Sequence, residues 1–224
     1  MGQDRYITLV SSLPALGPML AAKTPPINRD RLTARLRSGL APGDHAQLDS
    51  LSSVLDWARV QNHAADADAV AAARAAERSL ASPVLRIYLR DRMELRTTIA
   101  ALRRRARGEG PPPEDAPWGF GRYLRRIRAH WSDPGFGVTR AFPWVPEAAR
   151  KLEAGEAAAM ERIVLEAAWR QAERRGALHR FDLEAVVFYV ARWALLERWT
   201  RYDAQAAEMR FADLMDRALP EAAR

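Results

Sequence analysis

The chain has 224 residues, 48% of them hydrophobic and 28% charged, a balance that suits a folded globular protein and not a disordered one. It holds no cysteine, which excludes disulfide scaffolds, thiol nucleophiles and the common structural zinc sites together. The net charge of +7 is almost entirely a matter of arginine, because lysine occurs only at Lys23 and Lys151.

Alanine makes up about a fifth of the chain, so the codon usage of a GC-rich genome accounts for part of this composition. The placement of the charge carries more information. Between Arg86 and Arg128, 12 arginines stand against five acids (Asp91, Glu94, Glu109, Glu114 and Asp115), so this segment holds the whole excess and the rest of the chain is neutral.

In chain order, Tyr6–Val10 is apolar and partly β-branched, and its length leaves a short strand and a buried helical turn equally open. Gly17, Pro18, Pro25 and Pro26 mark a loop. Asn28 is placed to cap a helix carrying Leu32, Leu36 and Leu40, with Pro42-Gly43 as its stop. Asp44 is placed to cap the next helix, whose stripe is Leu48, Leu51, Leu55 and Ala58. Asp66–Leu80 is alanine-rich and strongly helix-forming, with little apolar bulk.

Ser82-Pro83 then opens a long helix expected to reach about Arg107. Its inward face is Leu85, Leu89, Met93, Leu95, Ile99 and Leu102, and its other face is rich in arginine. Gly108–Pro117, with three consecutive prolines, is expected to be a hinge or exposed loop, dividing an N-terminal helical part, 1–107, from a C-terminal one, 118–224, packed as one unit. A short helix is expected around Phe120–His130, then irregular chain from Asp133-Pro134-Gly135 to Trp144.

The last third predicts a helix from Pro146 to Gly176, a second capped by Asp182 and carrying Leu183, Val186, Val187, Val190, Ala194 and Leu195, and a third around Ala204–Leu219. Ala185–Leu196 is the most apolar stretch, too short and too interrupted by Arg192 for a bilayer span of about 20 residues. No secretory signal pattern is visible at the start, and a soluble cytoplasmic protein is expected, either free or at the inner face of the cell membrane as part of a complex. The fold class expected is all-α, a multi-helix bundle.

Reactive constellations are missing from the sequence. There is no phosphate-binding G-x-x-x-x-G-K-[ST], no H-E-x-x-H and no G-x-S-x-G, and the pairs Gly119-Phe-Gly121 and Gly135-Phe-Gly137 read as turns. Asp66-Ala-Asp68 is too sparse for a metal site. The histidines His45, His63, His130 and His179 stand among alanines, arginines or apolar residues, and a surface or structural role is expected of each, since a general base needs a positioned partner. No catalytic residue, metal ligand or cofactor is expected.

The basic segment is the one electrostatic signal. Arg103, Arg104, Arg105 and Arg107 fall at a helix end, and Arg122, Arg125, Arg126 and Arg128 follow the proline loop, with Trp118, Phe120, Tyr123 and Trp131 interleaved. Such a pattern can bind RNA through phosphates and stacked bases, or an acidic protein surface with Arg and aromatic anchors. The plain alternative is a solvated helix face beside ordinary core aromatics.

Two stretches carry a family resemblance. Tyr6-Ile-Thr-Leu-Val-Ser-Ser-Leu-Pro14, followed by Pro25-Pro26-Ile27, and the late set Glu161-Arg-Ile163, Trp169, Phe181-Asp182, Tyr189 and Glu197-Arg198-Trp199 leading to Phe211 and Leu214 resemble a bacterial family of uncharacterised proteins encoded beside vacuolar/archaeal-type (V/A-type) ATPase subunits. The resemblance implies a role like that of the central-stalk C (d) subunit: all-helical, non-catalytic, joining the rotary shaft to the membrane rotor ring through protein contacts. This chain is shorter than the three-repeat C subunits, so a reduced version is implied. Under it, Arg103, Arg104, Arg105, Arg107, Trp118, Arg122, Arg125 and Arg126 would meet the shaft or the ring's loops. A helical RNA-binding or adaptor module using segment 86–128 is the alternative.

Overall fold

Side-chain caps begin the helices where the polar residues stand ready for them. The Asn28 side chain accepts a hydrogen bond from the Arg31 amide at 2.9 Å, Ser82 from Leu85 at 3.3 Å and Asp182 from Ala185 at 2.8 Å, each satisfying a donor that a helix N-terminus leaves free. A computed structural model describes the backbone of residues 2–55 and 66–222 and the side chains of 4–55 and 67–202. Among them the chain is all-α. It forms α1 (Gly2–Ser12), a 3-10 turn (Met19–Ala21), α2 (Arg29–Gly39), α3 (Pro42–Leu55), α4 (Asp66–Ser79), α5 (Pro83–Ala106), α6 (Leu124–Ala129), α7 (Val145–Glu153), α8 (Ala157–Gly176) and α9 (Leu183–Ala222). Ala58, His63 and the side chains of Met209, Phe211, Leu214, Met215 and Leu219 lie outside the described residues. No helix among those described is long and apolar enough to cross a membrane.

Several boundaries differ from the sequence expectation. Tyr6–Val10 is helical, inside α1. Pro42 does not end a helix but starts α3, where its missing N–H is one of the donors without an intrahelical partner, and Ala41 O accepts from Asp44 and His45 at 3.0 Å. Asp44 therefore sits in the first turn of α3 instead of capping it. The helix expected from Pro146 to Gly176 is two, α7 and α8, broken at Ala154–Glu156, where Gly155 turns to φ +72°. Gly176 closes α8 without a left-handed turn. A Cβ there would lie 3.0 Å from Phe188 Cβ, so this glycine lets α9 approach. The two helices expected after Asp182 are a single one, α9, of 40 residues.

The buried residues form two clusters, and their division does not follow the proline loop. The first gathers Leu9, Leu32, Leu36, Leu48, Leu51, the start of α5 (Leu85, Tyr88, Leu89, Met93) and the start of α9 (Val186, Val187, Phe188, Trp193). The second gathers the later part of α5 (Leu95, Ile99, Leu102), Trp118, Ile127, Phe136, the α7–α8 pair and Leu195 and Leu196 of α9. Helices α5 and α9 thus each run through both cores. The 3.6-residue stripe of α5 explains why: its inward-facing row runs unbroken from Leu85 to Leu102, about 27 Å of helix, long enough to pass from one core into the other.

Candidate docking surface

The sequence-selected arginines divide between two environments. Arg125 and Arg126, on α6, are exposed. Arg107 is also exposed, and its Nε donates to Glu109 Oε1 at 2.6 Å, which holds the Glu109 carboxyl below its ordinary range. Arg104 reaches the other oxygen of the same carboxylate at 3.0 Å. Arg103 is half-buried, and burial lowers its pKa against the opposing attraction of Glu161. Trp118 is 5% exposed and belongs to the second core, so its ring packs inward.

Arg105 turns inward as well. Its guanidinium donates to the carbonyl oxygens of Trp131 (3.3 Å), Asp133 (2.6 Å) and Pro134 (3.2 Å) and lies 4.2 Å over the Phe136 ring. That ring is fully buried although Phe136 has φ +52°, a left-handed conformation unusual for a bulky residue. Asp133 completes the turn by accepting from the Gly135 and Gly137 amides at 2.9 and 2.8 Å, which lowers its pKa. The Asp133–Gly137 segment is therefore a built turn wrapped on an arginine.

The proline loop is also fastened. Trp131 Nε1 donates to Glu109 O at 3.0 Å and Arg128 Nε to Pro112 O at 2.8 Å, with Pro112 buried while Pro111, Pro113, Glu114 and Asp115 remain exposed. Of the two expectations for this segment, hinge or exposed loop, the structure shows a surface loop pinned at two carbonyls. Arg92, one of the arginines of α5, is 6% exposed on the helix's packed face, and burial lowers its pKa.

Arg122 clasps Glu94 with Nε at 2.9 Å and Nη2 at 3.1 Å, while its own backbone N–H donates to the same carboxylate at 2.9 Å. Glu94 is 3% exposed and Arg122 is largely open, so a buried carboxylate fixes an exposed guanidinium in place and raises its pKa. Asp91 takes Arg175 of α8 at 2.6 Å and comes within 3.9 Å of Arg122.

This four-residue cluster forms one wall of a groove of about 940 Å³ between α5, α7 and α8. Its floor is apolar, with Leu95, Tyr123, Phe142, Trp144, Ile163 and Ala167. Its rim is charged. Arg162, Glu166, Arg170 and Arg174 follow one another at four-residue steps along α8, and Lys151 stands across on α7. Glu166 accepts from Arg162 at 3.1 Å and from Arg170 at 3.0 Å, so one carboxylate serves two guanidiniums. Arg174 has no acidic partner among the described residues. Leu178, just past α8, is 84% exposed at the groove's end. Sequence reasoning passed over this site because its residues are spread over three helices.

The two stretches that carried the resemblance meet in space. Tyr189 OH donates to Pro14 O at 2.9 Å and Trp193 Nε1 to Ile27 O at 2.8 Å, while Arg29 pairs with Glu197 and Arg198 with Glu161 at 2.6 Å. His179 is not solitary, contrary to expectation: its Nδ1 lies 2.7 Å from Asp182, three residues on, and Glu184 accepts from the Ser82 hydroxyl. The ligand atoms of His179, Asp182 and Glu184 lie within 4.8 Å of one another, a cluster accounted for by the capping of α9 and its tie to α5. No protein-family model, no curated protein and no solved structure matches this chain.

Proposed function

We propose that this chain is a non-catalytic connector or assembly subunit of a V/A-type rotary ATPase, acting between the central shaft and the membrane rotor ring. The observation that supports a connector is the shared use of α5 and α9 by both cores. Separating the halves would open both cores at once, so a load applied at one is carried to the other through packed, nearly incompressible interior. The choice of host complex is supported by the resemblance of the two terminal stretches, whose residues are in mutual contact. Exposed cations at Arg125 and Arg126 suit an acidic partner face.

The test is reconstitution: the purified chain is mixed with purified shaft subunits and, separately, with rotor rings in detergent, and co-elution is read by size exclusion. Co-elution that Arg125→Glu with Arg126→Glu weakens supports the proposal. Absence of co-elution with either assembly overturns it. Binding to RNA that falls steeply with salt, the mark of released counterions, would replace it with the nucleic-acid reading.

A further inference from the structure

The groove between α5, α7 and α8 differs from the basic segment picked out by sequence, and it has features that segment lacks. Its floor carries Leu95, Tyr123, Phe142, Trp144, Ile163 and Ala167, and beyond the charged stretch Arg170–Arg175 its end carries Leu178, which is 84% exposed. A single exposed leucine is ordinary by itself; what sets this groove apart is that Leu178 lies at the end of a concave surface combining apolar side chains with a row of arginines. The rim gives the second requirement. Cations at the last turn of a helix are explained by its dipole, which covers Arg174 and Arg175. It does not cover Arg162 and Arg170, which lie earlier in α8 and share the single carboxylate of Glu166. Arg170 and Arg174 are also like charges four residues apart, an arrangement that destabilises an isolated helix.

The groove's lining carries six basic and four acidic residues. That mixture argues against a nucleic-acid strand, whose closely spaced phosphates would face Asp91, Glu94, Glu147 and Glu166 in turn. A peptide can place carboxylates beside Arg170 and Arg174 and apolar side chains over the floor.

We propose that this groove is the docking site for an acidic peptide segment of a partner protein, with one or two large apolar side chains seated against Ile163, Trp144 and Leu178 and its carboxylates on Arg170 and Arg174. The arginine row supplies register and the floor supplies most of the affinity. This site is separate from the Arg125/Arg126 face, and the proposal does not depend on which complex hosts the chain.

The test is selection of a displayed library of random dodecapeptides on the purified full chain, with the dominant peptide then synthesised, labelled and titrated by fluorescence anisotropy. The expected result is enrichment of peptides combining Asp or Glu with Leu, Phe or Trp. Their binding should weaken at least tenfold in Arg170→Glu/Arg174→Glu and several-fold in Leu178→Ser, and stay unchanged in Arg37→Glu, on the exposed side of α2. All these positions are exposed, and thermal melts of the variants establish that each is folded. No enrichment over the Arg170→Glu/Arg174→Glu chain, enrichment of basic peptides, or equal weakening in Arg37→Glu overturns the proposal. Because no ATPase subunit is present, failure here leaves the reconstitution result standing, and the converse holds too.

Discussion

Replacing Arg105 by alanine separates an arginine that binds a partner from one that holds the chain together. The guanidinium donates to three carbonyls, one at 2.6 Å and two at 3.2–3.3 Å, and covers a buried Phe136 ring at 4.2 Å. A hydrogen bond from a charged donor is worth about 1.5–3 kcal/mol net, and only the short one is near ideal. Water can reach the carbonyls once the side chain is gone, which limits the loss. The contact over the ring adds about 0.5–1 kcal/mol. A loss of about 2–3 kcal/mol follows, which for a chain of this size lowers Tm by roughly 5–10 °C. The assay is far-UV circular dichroism melting of Arg105→Ala, Arg105→Lys and Arg125→Ala. Arg125 is exposed and makes none of these contacts, so its variant should melt within a degree or two of the parent. Lysine keeps the charge but loses the planar fork that reaches separate carbonyls, so it should recover less than half of the loss. If Arg105→Ala melts with Arg125→Ala, or lysine rescues in full, the arginine is not the keystone of the Asp133–Gly137 turn. A charge reversal spanning Arg103–Arg105 would, on this reasoning, unsettle folding before it tested docking.

Gly121 has φ +107° and an added Cβ would fall 2.2 Å from Glu94 Cγ, so Gly121→Ala should cost about 2–3 kcal/mol in urea unfolding, whereas Gly43→Ala, with open space around it, should be close to neutral. Asp133 has a folded pKa below its ordinary value because the Gly135 and Gly137 amides hold its charged form. Its contribution is present above an unfolded value of about 4 and is lost as pH falls through the folded one; the melting difference between parent and Asp133→Asn should therefore shrink from pH 6 toward pH 3. The Tyr189 phenol is pushed up to about 12 by burial. Its stabilisation is intact below about 10 and fades as pH rises through 12; Tyr6 and Tyr88 are also pushed up by burial, so tyrosinate absorbance should show a late component that Tyr189→Phe reduces by one phenol without abolishing.

Helix content was legible because it rests on local rules. The Asn28, Ser82 and Asp182 caps are short polar side chains ahead of apolar rows, and the α5 stripe from Leu85 to Leu102 repeats with the helical period. Boundaries were less legible where one residue supports two local outcomes. Pro42 serves a helix start as well as a stop, and Gly155 is a break only because Glu156 bonds back to Lys151 O at 2.9 Å. The pairing of His179 with Asp182 had a signal in its three-residue spacing.

The direction of each arginine had no such signal. Arg92, Arg105 and Arg122 look alike in a basic run, yet one is buried in a packed face of α5, one wraps a turn and one is clasped by a buried carboxylate. Composition and periodicity determined that this chain is built of helices, that its charge excess lies in the middle, and where most helices begin. Tertiary packing alone decided which charges remain available at the surface, and that α5 and α9 join two cores into one body. The reason is that charge and propensity belong to single residues and their near neighbours, whereas a groove or a clasp exists only when side chains far apart in sequence share one small volume.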